Sequence, residues 1–60
     1  MLTISIDEKN VYKIKSAAQA VMLAGFLGYM QALEDDDRIW HKYETAIQAL
    51  ITAVGKGELE

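Results

Sequence analysis

Eighteen consecutive residues, Ser16 to Leu33, carry neither a charged side chain nor a proline, and most are Ala, Leu, Met, Gly or Val. Ala and unbranched apolar side chains lose little freedom in a helix, so the window is expected to be helical over about 17–33. Its apolar residues reach nearly all the way round the helical wheel, and such a helix has to be covered on more than one side. The rest of the chain offers little cover. A chain of 60 residues buries only about 60% of the surface it exposes when unfolded, while ordering costs roughly 1.5 kcal/mol per residue. The absence of Cys excludes disulfides, and a single His leaves little scope for a structural metal. A partner chain is then the expected source of extra burial, in keeping with a hydrophobic fraction of 52%. We therefore expect a homodimer, or a domain completed by its target.

Within the window, Ala20, Ala24, Gly28 and Ala32 recur every four residues. They form a small-residue stripe along which another helix could approach closely, and they are the candidate dimer or packing contacts. Met22, Leu23, Phe26, Leu27 and Met30 supply bulk elsewhere. Gly25 and Gly28 each cost up to about 1 kcal/mol relative to Ala in a helix interior, which points to close packing or a break there.

A second helix is expected over about 38–54. Asp35, Asp36 and Asp37 offer N-caps and favourable first-turn charge. Trp40, Tyr43, Ile47, Leu50 and Val54 follow a 3-4 spacing with Ala46, Ala49 and Ala53 beside them. Gly55 and Gly57 are candidate stops, and Lys56 complements the helix dipole. Leu59 and Glu60 read as a tag-derived dipeptide and are given no functional weight.

The opening run Leu2-Thr3-Ile4-Ser5-Ile6 alternates apolar and polar residues and reads as a strand. Two readings of the next segment are open. In one, Val11-Tyr12-Lys13-Ile14-Lys15 is a second strand, a five-residue loop pairs Ile6 with Tyr12 and Ile4 with Ile14, and Ser16 with Gln19 forms a capping box. In the other, Asp7 caps an earlier helix, with Ile6 and Val11 as a hydrophobic staple. The expected fold class is therefore α+β: an N-terminal β-strand or hairpin followed by two α-helices, mainly helical, dimeric, and one domain over 1–60. No repeat, proline or flexible linker suggests a second domain.

Charge narrows the function. Nine acidic against six basic residues give a net charge of −3, which disfavours sequence-independent binding to nucleic acid. The acidity is local: Glu34, Asp35, Asp36, Asp37 and Glu44 outweigh Arg38 and Lys42 by three charges. The plainest account of this cluster is a helix–helix turn that uses one Asp as a cap. Its functional account is a contact in which adjacent carboxylates imitate nucleic-acid phosphates and occupy a basic groove of a protein partner. Trp40 and Tyr43 lie within two turns of it, and aromatic anchors carry much interface energy. Glu34, Asp35, Asp36, Asp37, Trp40 and Glu44 are thus the candidate partner-binding residues.

Catalytic chemistry finds few carriers. Ser5 and Ser16 belong to no motif that ties them to His41 and a carboxylate, and Gly25 and Gly28 lie inside an apolar helix rather than in a phosphate-binding loop. Asp37, His41 and Glu44 share one helical face, yet no second ligand cluster accompanies them. No enzyme, metal or cofactor is expected. The window from Ser16 to Leu33 is at the lower limit for a membrane span and is diluted by Gln19, Gln31 and many small residues, so a span is disfavoured. No basic leader precedes a short apolar core, so a cytoplasmic location is expected.

Two resemblances bear on function. Leu2-Thr3-Ile4-Ser5-Ile6-Asp7-Glu8 resembles the opening of ribbon-helix-helix proteins. That resemblance implies a dimeric DNA-binding repressor or antitoxin with Thr3 and Ser5 reading bases and Lys9 or Lys13 near phosphates. Against the family pattern, the strand carries no Arg or Lys, and no polar turn follows Gly25. In size, acidity and lack of catalytic groups the chain also resembles small phage and mobile-element inhibitors of the anti-CRISPR type. This resemblance implies a non-enzymatic inhibitor or regulator of a nucleic-acid-handling partner.

Overall fold

A computed structural model describes residues 1–59. The element order is β1 (Leu2–Ser5), β2 (Val11–Ile14), α1 (Ala17–Ala32) and α2 (Asp37–Gly55). The hairpin reading holds, and the chain is α+β and mainly helical.

Strands β1 and β2 pair antiparallel with Leu2 opposite Ile14 and Ile4 opposite Tyr12. This register lies two residues from the expected one, which set Ile4 against Ile14. Turn chemistry makes the difference. Asp7 Oδ1 accepts from the backbone N–H groups of Lys9 and Asn10 at 2.8 and 2.9 Å, and the Asn10 side-chain amide donates to both Asp7 oxygens. The chain therefore reverses early, and Ile6 N–H donates to the Asn10 carbonyl at 3.0 Å. A shift of two leaves every side chain on its face. Ile4, Ile6 and Ile14 are buried, Leu2 and Tyr12 pack against them, and Thr3, Ser5, Lys13 and Lys15 are exposed.

Ser16 caps α1, its hydroxyl accepting from Gln19 N–H at 3.2 Å. Gln19 Oε1 returns the contact to Lys15 N–H at 2.8 Å, one residue upstream of the usual capping-box donor. The helix runs unbroken through Gly25 and Gly28, and a Cβ at either would meet nothing within 4 Å. Neither a break nor close packing within the chain explains these glycines.

Asp36 is the N-cap of α2, and Asp37 is the helix's first residue. At the other end Gly57 takes φ +72°, Gly57 N–H donates to the Val54 carbonyl, and Glu58 N–H donates to that of Ala53. This is a Schellman stop, which needs the left-handed conformation that glycine adopts without strain. Gly55 is helical, so Gly57 is the operative stop. Beyond it Leu59 packs against the core, which gives it a structural role that the sequence did not suggest, while Glu60 lies outside the described residues.

The core joins the β-hairpin to the two helices. Leu27 of α1 and Leu50 of α2 are fully buried, with Ala20, Ala46 and the hairpin isoleucines around them. β2 rests on α1 and β1 rests on α2. No described helix is long and apolar enough to cross a membrane.

Candidate functional site

The α1–α2 turn brings the acidic residues together but gives them different tasks. Glu34 Oε1 accepts from Asp36 N–H at 3.2 Å. Asp36 Oδ1 in turn accepts from Arg38 N–H at 2.9 Å and lies 3.8 Å from Arg38 Nε. Those two carboxylates are spent on shaping the turn, and the surface ion pair adds little to stability. Among the described residues, the side chains of Asp35 and Asp37 form no hydrogen bond or ion pair, and both residues are exposed.

Glu44 stands apart. Its two oxygens accept from Gln31 Nε2 at 2.8 Å and Gln48 Nε2 at 3.2 Å, and Gln31 also reaches the Trp40 carbonyl at 3.5 Å. These donors stabilise the charged form, Gln31 most, and hold the Glu44 carboxyl below its ordinary value. Glu44 thus bridges the helices rather than joining an outward acidic patch. Trp40 is 36% exposed, and its ring meets that of His41 edge-on at 5.2 Å. Tyr43, by contrast, packs against the core.

The candidate packing stripe divides in the same way. Ala20 is fully buried and Ala24 packs against the core, whereas Gly28 is half-buried and Ala32 exposed. Within one chain, the Ala20 end of the stripe is where α2 lies against α1, with Leu50, Ile51 and Val54 beside Ala20 and Ala24.

A groove of about 400 Å³ is lined by Thr3, Ile4 and Ser5 on one side and by Arg38, His41, Lys42, Thr45, Ala46 and Ala49 on the other. Successive strand residues face opposite ways, so a groove touched by three in a row runs along an edge of the strand. Here it is the edge of β1 that β2 leaves free. The 3-4 spacing of Arg38, His41, Lys42 and Thr45 marks a polar helix face in the sequence, but only the topology sets that face beside Thr3 and Ser5.

Among the described residues no three His, Asp or Glu side chains are grouped as metal ligands, so Asp37, His41 and Glu44 are not brought to one point. The ribbon-helix-helix pattern has its strand pair across a dimer, whereas β1 pairs with β2 of its own chain. Comparison with known proteins finds no matching family model, no similar curated protein and no similar solved structure.

Proposed function

We propose that this chain is a non-enzymatic cytoplasmic interaction protein. It occupies a basic surface of a nucleic-acid-handling protein partner, in the manner of small inhibitors of the anti-CRISPR type. The observation that carries this reading is the division of labour in the α1–α2 turn. Among the described residues the side chains of Asp35 and Asp37 stay unpartnered and exposed, with the partly exposed Trp40 one turn on from Asp37, while Glu34 and Asp36 brace the backbone of the turn. Charges held outward on a braced turn favour fast, salt-sensitive encounter, and an adjacent aromatic ring supplies area for the contact.

The test is affinity capture of the partner from the native host, followed by association kinetics with the Asp35→Asn, Asp37→Asn double variant. Asp36 is left intact so that α2 keeps its cap. Association should slow by roughly tenfold at low salt and lose most of its salt dependence. An unchanged rate refutes the acidic contact.

The β1-edge groove favours a second reading, sequence-specific DNA binding, because it sets Arg38, His41 and Lys42 beside Thr3 and Ser5. On this reading a duplex selected from a random pool is retained at modest salt, and Thr3→Ala with Lys42→Ala releases it. Retention of no duplex ends that alternative.

A further inference from the structure

Among the described residues nothing covers the outer face of α1. Val21, Met22, Phe26, Tyr29 and Leu33 are each at least half exposed, from 50% for Phe26 to 75% for Met22. At 100° per residue they share one side of the helix with Ala18, Gly25 and Ala32, all exposed as well. Apart from the Tyr29 hydroxyl this face has no polar side chain, and Ile51 of α2 borders it across a small apolar groove beside Val21.

We propose that this face is the seat of a second copy of the same chain, paired antiparallel about a two-fold axis between Gly25 and Phe26. Three observations favour that occupant. The first is size. Phe and Tyr side chains bury about 150–250 Å² each and aliphatic ones somewhat less, so the exposed parts of these five and Ile51 come to at most on the order of 600 Å² per chain. A symmetric pair would then bury up to about 1,200 Å², the lower bound for a specific interface. The whole chain points the same way, for it exposes 4338 Å² where surface–mass scaling gives about 3,900 Å² for a monomer of its 6.7 kDa.

The second observation is charge. Two chains of net charge −3 repel, yet residues 16–33 carry no charge at all. A contact on this face buries no like-charge pair, and it gives a charged partner nothing to pair with.

The third is shape. A two-fold axis between Gly25 and Phe26 sets Gly25 against the partner's Phe26, Ala18 against the partner's Leu33, and Met22 against the partner's Tyr29. Small faces large at two positions and a thioether faces an aromatic ring at the third, a self-complementary set of the kind an isologous interface requires. A role at this axis would also account for Gly25, whose missing Cβ has no cause inside the chain. The proposal does not rest on the acidic-turn reading, since Asp35 and Asp37 lie outside this face.

Light scattering on the wild type at about 100 µM should give a mass near twice 6.7 kDa, falling on dilution as suits an interface of this size. Met22→Glu with Phe26→Glu should return the mass to that of one chain with unchanged helical circular dichroism, since both side chains point outward. The chain has no Cys, so Ala18→Cys with Leu33→Cys, positions that face each other across the axis and lie too far apart within one helix to bond, gives an independent readout that does not rely on the charged variant. That chain should oxidise to a covalent dimer, while Lys13→Cys on the hairpin's wet face should not. A monomeric wild type overturns the proposal, as does a dimer indifferent to the Met22→Glu, Phe26→Glu variant or an Ala18→Cys, Leu33→Cys chain that does not cross-link. A wild-type monomer that instead binds phosphatidylcholine vesicles would assign the face to a lipid surface.

Discussion

The two helices are of similar length and lie against one another, yet they meet water in opposite ways. α2 keeps Ala46, Leu50 and Ala53 inward and sends Arg38, Lys42, Thr45, Gln48 and Thr52 outward, with Ile51 among them. α1 keeps Ala20 and Leu27 inward and also sends Val21, Met22, Phe26 and Tyr29 outward. One helix shows water mostly polar side chains and the other shows it mostly apolar ones. An amphipathic pattern reports a single partner, whereas an all-apolar pattern reports more partners than the chain supplies.

Substitution should do most damage at the inner face that both helices share. Leu27→Ala and Leu50→Ala each empty a fully buried site and should each cost about 2–5 kcal/mol in denaturant unfolding. If one were nearly neutral, the helices would not share one core. The caps come next. Ser16→Ala should weaken α1 and Asp36→Ala should weaken α2, each by about 1 kcal/mol in thermal melts.

The glycines of α1 sharpen the contrast further. Gly28→Ala should stabilise the chain by up to about 1 kcal/mol, since its Cβ meets nothing within 4 Å. Gly25→Ala should give a similar gain in dilute monomer but lose it at concentrations where copies pair. Equal gains under both conditions would remove Gly25 from any interface.

The smallest effect is at Glu44. Its carboxyl is depressed by Gln31 and Gln48, so its share of stability is present above the ordinary glutamate range and is lost as pH falls through the depressed value. Gln31→Ala should raise the Glu44 titration midpoint in an NMR pH series and blunt that acid sensitivity. An unmoved midpoint would mean that the bridge does not form in solution.

Periodicity and caps made most of this fold readable. The alternation in Leu2–Ile6, the Ser16 and Asp36 caps and the 3-4 spacing of α2 each mark a local event that needs few distant contacts. The strand register was not readable from polarity, because a shift of two residues keeps the same faces, and only the bonds made by Asp7 decide it. The stripe of Ala20, Ala24, Gly28 and Ala32 was visible as a pattern, but a pattern does not say whether its neighbour comes from the same chain. At the acidic turn the residue types were evident while their tasks were not. Which carboxylate braces and which projects depends on the backbone geometry of four consecutive residues, Glu34 to Asp37.

The contact order of the elements has a consequence for time. Three of the four packed pairs join neighbours in sequence, namely β1 with β2, β2 with α1 and α1 with α2, and only β1 with α2 closes over a distance. Chains built from local contacts meet little loop-closure entropy before their interactions begin to count, and they fold in microseconds to milliseconds. Stopped-flow mixing should find most of the refolding amplitude already complete within its dead time.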